Sequence, residues 1–144
     1  MVMRKIWILL FLSLMQIYTS TAQAQKRSKK TRSKTRSEAY HIHFAKDSSN
    51  VAIGALMFGL AHPVTFVINP PKGKSLSVSI NAMADPANIR INQVILPDGS
   101  SAGPFGKSIT LPINLKGYYK IIVTGSNMQG DDFKGPFTLH ASII

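Results

Sequence analysis

The 144-residue chain contains no cysteine, which excludes a disulfide scaffold, a thiolate metal centre and a cysteine nucleophile. Acidic residues are also scarce: 6 Asp and Glu stand against 17 Lys and Arg, for a formal net charge of +11. So few carboxylates, mostly scattered, are a poor basis for a two-carboxylate catalytic pair. No Gly-x-Ser-x-Gly elbow or other nucleophile motif occurs. Together these gaps argue against an enzyme. No motif for a cofactor is present either. The 44% hydrophobic content is ordinary and supports one folded domain.

The basic residues are unevenly placed. Arg4 and Lys5 precede an apolar run, Ile6 to Leu14, that is too short to span a bilayer. Small residues follow at Ala22-Gln23-Ala24. This three-part layout predicts a signal peptide over residues 1–24 and export to the periplasm or beyond. Residues 25–39 form a second segment. Lys26, Arg27, Lys29, Lys30, Arg32, Lys34 and Arg36 lie within eleven residues that include no apolar side chain. Such a run predicts a solvated, disordered basic arm. Residues 40–144 hold eight basic and five acidic residues, so the expected domain itself carries only +3. In an exported chain the arm's partners would be an anionic envelope polymer or a membrane surface, held by salt-sensitive electrostatics, and not nucleic acid. A passive tether is the plainer reading of the same residues.

From Tyr40 onward apolar residues recur at every second position, the period of a half-buried strand. Leu76, Val78, Ile80 and Ala82 alternate with serines and Asn81, and Phe137, Leu139, Ala141 and Ile143 alternate with Thr138, His140 and Ser142. Ile89 and Ile91 are out of phase with Val94 and Leu96, which predicts a β-bulge near Gln93. Pro112 predicts an edge strand. Turn residues such as Pro97-Asp98-Gly99 separate the runs. The pattern predicts an all-β domain over residues 40–144, an antiparallel β-sandwich of about eight strands. If each strand reverses the last, connections 46–50, 70–74, 97–107 and 125–136 share one end. Segments 59–62, 83–88 and Lys116-Gly117 share the other with the arm.

Several residues could carry chemistry. His41 and His43 fall on one outward strand face, but zinc normally takes three or four protein ligands, so a surface strand is the simpler reading. Gly73-Lys74-Ser75 and Gly106-Lys107-Ser108 mimic the end of a phosphate-binding loop without its first glycine, and no metal site is expected. Asp131-Asp132 reads as a solvated turn. The two longest connections offer more for binding a protein: Phe105 and Lys107 in one, Met128, Asp131, Asp132 and Phe133 in the other. An aromatic tip flanked by charge can anchor a partner. Alternatively, both phenylalanines fold inward and cap the core.

The run Gly117-Tyr118-Tyr119-Lys120-Ile121-Ile122-Val123, with Phe137-Thr138-Leu139-His140-Ala141-Ser142-Ile143, resembles the ending of bacterial pre-peptidase C-terminal domains. Val64-Thr65-Phe66, the stretch Lys72 to Ile80 and the hairpin Leu96-Pro97-Asp98-Gly99-Ser100 resemble other parts of that fold. The order Phe44-Ala45-Lys46, Gly54, Gly59, Thr65-Phe66, Lys72-Gly73 and Val78-Ser79-Ile80 is similar to the N-terminal half of the periplasmic inhibitors of goose-type lysozyme. This resemblance implies a non-enzymatic binding protein whose partner is a lysozyme-type hydrolase. On that reading, the shared end of the two long loops and their charge placement lead us to expect one loop in the enzyme's cleft, with Lys107 paired to a catalytic carboxylate and Asp131 and Asp132 facing a basic rim.

Overall fold

The structure, a computed structural model, describes residues 39–84 and 86–144. The export signal expected at 1–24 and the seven basic residues from Lys26 to Arg36 lie outside the described residues. Nine strands follow in order: β1 (Ala39–Ile42), β2 (Asn50–Phe58), β3 (Val64–Ile68), β4 (Ser75–Ala82), β5 (Arg90–Ile95), β6 (Ser101–Ala102), β7 (Ser108–Pro112), β8 (Tyr119–Thr124) and β9 (Lys134–Ile143). They form a five-stranded sheet, ordered β1-β3-β8-β5-β6, and a four-stranded sheet, ordered β2-β9-β4-β7.

The period-2 pattern becomes the two faces of each sheet. Phe66, Tyr119, Ile121 and Val123 from the first sheet meet Leu76, Val78, Phe137 and Leu139 from the second in one buried core. Phe66 and Phe137 touch edge to face across the sandwich, with ring centroids 6.1 Å apart. Tyr119 is fully buried, and its hydroxyl donates to the Leu115 carbonyl at 3.1 Å, so the polar end is satisfied inside an apolar layer.

The bulge lies where the phase break predicts it. Ile91 pairs with Val123 and Gln93 with Ile122, leaving Asn92 as the extra residue, and Ile89, Ile91 and Val94 are all buried. The neighbouring chain must come close here. A Cβ at Gly103 would strike the Asn92 carbonyl oxygen, and Gly103 has φ +139°. Pro112 sits on β7, an edge strand, as its missing N–H requires.

Two features differ from the sequence expectation. The arrangement is not wholly antiparallel: β1 pairs with β3 in parallel, because the chain visits the other sheet as β2 in between and reverses twice. The other is a short strand where a loop was expected, which brings the expected eight or so to nine among the described residues. The stretch expected as one 97–107 loop contains β6, which pairs with β5 as a hairpin. That extra reversal flips the direction of every later strand. Connections 43–49, 69–74, 96–100 and 113–118 therefore lie at one pole, and 59–63, 86–89, 103–107 and 125–133 at the other. Phe105 and Lys107 do share a pole with the 125–133 loop, but with different neighbours from those the simple alternation gives.

Candidate functional site

The second pole is built by side chains that reach across long stretches of sequence. Segment 103–107 is the crossing from one sheet to the other. The Phe105 N–H donates to the Ile91 carbonyl at 2.9 Å, Ile91 N–H to the Gly106 carbonyl at 3.0 Å, and Ile80 N–H to the Lys107 carbonyl at 2.8 Å. The backbone that carries Phe105 and Lys107 is thus tied to both sheets.

Asn88 holds the 125–133 loop. Its Nδ2 donates to the carbonyls of Ser126 (2.9 Å) and Asp131 (3.1 Å), and its Oδ1 accepts from the Ser126 N–H at 2.8 Å. Asp132 holds the loop from the other side, where its Oδ1 accepts from the Leu60 N–H at 2.6 Å. Gly125 lies so close to Leu60 and the Asn88 carbonyl that a Cβ there would collide with both.

Between these segments lies a cleft of about 600 Å³. Phe105 and Phe133, half-buried against the core, give it an apolar floor, as the inward-folding alternative predicts. Arg90, Lys107 and Asp131 line it with charge. The Arg90 Nε is enclosed yet meets no acceptor among the described residues. A buried guanidinium N–H left unpaired is unfavourable by about 1–3 kcal/mol, a cost the fold carries at the wall of this cleft. The ion pair seen among the described residues joins Lys134 and Asp132 at 3.8 Å, leaving the charges of Arg90, Lys107 and Asp131 without an opposite partner there.

Of the six residues expected to bind a partner, four therefore line the cleft: Phe105, Lys107, Asp131 and Phe133. Met128 stands apart, 97% exposed, and Asp132 is turned toward Leu60 and Lys134. The sequence reading did not single out Arg90 or Asn88. The alternation around Ile89 and Ile91 gives Arg90 an outward side chain, but its pole follows only from the strand order. His41, His43 and His140 are exposed, and no group of three His, Asp or Glu residues gathers among the described residues.

No family model matches the chain, and no curated protein matches it in sequence. Solved structures do match. PliG of Aeromonas hydrophila, a periplasmic inhibitor of g-type lysozyme, is similar with TM-score 0.59 at 18% identity, over 74% of this chain and 96% of that one. PliG of Salmonella Typhimurium gives 0.54 at 14% identity, over 74% and 98%. A mutant of the inhibitor from Escherichia coli gives 0.53 at 16% identity, over 74% and 97%. The likeness is one of fold. It covers nearly the whole of each PliG chain, so the sandwich is similar as a unit and not through a shared hairpin.

Proposed function

We propose that this chain is an exported, non-enzymatic protein that binds and inhibits a lysozyme-type hydrolase through the cleft between segments 86–89, 103–107 and 125–133. The observation that carries this reading is the pairing of two cations that meet no ion-pair partner among the described residues, Arg90 and Lys107, with an apolar floor of Phe105 and Phe133. Glycoside hydrolases work with carboxylates in a cleft, and a cation set beside an apolar surface can occupy such a group. Arg90 offers a planar fork of donors to a carboxylate, and Lys107 adds a mobile point charge. Asp131 would face basic residues at the rim of the enzyme, with Met128 as an exposed contact beyond it. The fold shared with three periplasmic inhibitors of g-type lysozyme supports both the partner class and the compartment.

Inhibition of g-type lysozyme by the purified protein is the test. The combined Arg90→Ala and Lys107→Ala variant should weaken inhibition by about a hundredfold, the loss of two charged contacts. Undiminished potency in that variant removes the cleft from the mechanism. A second reading rests on the seven basic residues between Lys26 and Arg36, which suit an anionic envelope polymer or lipid headgroups. Binding through them should fall steeply with salt and vanish when residues 26–37 are deleted, whereas lysozyme inhibition should survive that deletion.

A further inference from the structure

The sandwich has four sheet edges, and three are poor templates for another strand. β1 has 4 residues, β6 has 2, and β7 carries Pro112. The fourth edge is β2, with 9 residues, Asn50-Val51-Ala52-Ile53-Gly54-Ala55-Leu56-Met57-Phe58, and no charge, proline or register shift. Its phase can be read from one bond. The Ile143 N–H donates to the Ser49 carbonyl at 2.8 Å, so odd-numbered residues of β2 bond to β9 and even-numbered residues face the open edge. Asn50 is an exception within the even set, because the Ser48 hydroxyl caps both its N–H and its carbonyl. Ala52, Gly54, Leu56 and Phe58 remain, and none of their backbone groups finds a partner among the described residues.

We infer that β2 pairs with β2 of a second copy of this chain, antiparallel and two-fold symmetric about Ala55, joining two four-stranded sheets into one. This register uses all four open residues. Ala52 then lies opposite Phe58 of the other copy, and Gly54 opposite Leu56. Phe58 and Leu56 are large and exposed (64% and 50%), while Ala52 and Gly54 are the small residues on the same face. Large therefore meets small at every bonded pair, and the strand supplies both halves of the fit, which is the self-complementarity a two-fold interface needs. No charge lies within β2, so no like charges oppose one another.

Sedimentation velocity of the purified protein over a wide concentration range tests this, with Leu56→Lys as the edge-blocking variant. The substituted side chain points to solvent in the single copy, so folding is kept, and circular dichroism checks that it is. The expected result is a dimer that Leu56→Lys weakens by roughly tenfold or more, since a lysine sets like charges across the axis. The register has its own test, because the chain contains no cysteine. Ala52→Cys and Phe58→Cys variants should form an intermolecular disulfide when mixed. Neither should do so alone, because like positions would sit about 20 Å apart along the strand. A monomer at all concentrations, or a dimer indifferent to Leu56→Lys, overturns the inference. So does a strand of another protein, or of the chain's own first 38 residues, found on this edge.

Discussion

The two poles of the sandwich are held together in different ways. At the cleft pole the bonds that fix the loops link residues far apart in sequence: Asn88 to Ser126 and Asp131, Leu60 to Asp132, and the Thr124 hydroxyl to the Leu60 carbonyl at 3.4 Å. At the opposite pole the long-range bonds are left to the backbone, as from the Gly73 N–H to the Ile113 carbonyl, and several turns close on themselves. Ser48 N–H donates to the Ala45 carbonyl, Gly99 N–H to the Leu96 carbonyl, and Ser100 bonds to Asp98 through both its N–H and its hydroxyl. Local turns can form and open singly. Loops tied across long sequence separations depend on the finished fold, and in return present their side chains from a fixed frame. That is the property an inhibitory surface needs, since ordering loops at the moment of binding weakens the complex.

Substitutions at three positions sharpen this contrast, in falling order of effect. Asn88→Ala removes three bonds and strands the buried Ser126 N–H, so denaturant unfolding should show a loss of about 2–3 kcal/mol. Hydrogen exchange should quicken across 125–133 before it does elsewhere. If protection in that loop is unchanged, Asn88 is not its anchor. Asp132→Ala should lose about 1 kcal/mol through the bond to Leu60, whereas Asp132→Asn keeps an acceptor and should retain most of it. The 3.8 Å contact with Lys134 is exposed and contributes little of this.

Asp98→Ala, at the far pole, should have the smallest effect and leave the proposed inhibition untouched. Bonds from Ser100 hold the Asp98 carboxyl below its ordinary value of 3.8. A depressed folded-state value means that its contribution is present above 3.8 and is lost as pH falls through the folded value. The stability difference between Asp98→Ala and the parent should therefore vanish in acid and be seen at neutral pH. A difference that grows in acid would reverse this assignment.

How much of this was legible beforehand depends on how far apart the cooperating residues lie. The alternation in Leu76–Ala82 and Phe137–Ile143 declares strands because burial on one face has a period of two. The phase break between Ile91 and Val94 declares the bulge for the same reason. Ser101–Ala102 declares nothing: two small exposed residues form a strand only because the turn at 96–100 folds their backbone onto β5. Asn88 was equally silent, since its partners are 38 and 43 residues away. The cleft's phenylalanines and Lys107 could be named from their loop, but Arg90 could not. Its position beside them follows from strand order alone.

The two-residue strand β6 governs more of the molecule than its size suggests. Because it contributes one change of direction, its turn can lengthen or shorten without displacing anything downstream. Losing it altogether is another matter: the final three strands would then have to run the opposite way, or a bare segment would have to traverse the full height of the sandwich. In the first case Asp131 and Phe133 would be carried to the pole away from Asn88 and Arg90, and the cleft would have only one wall.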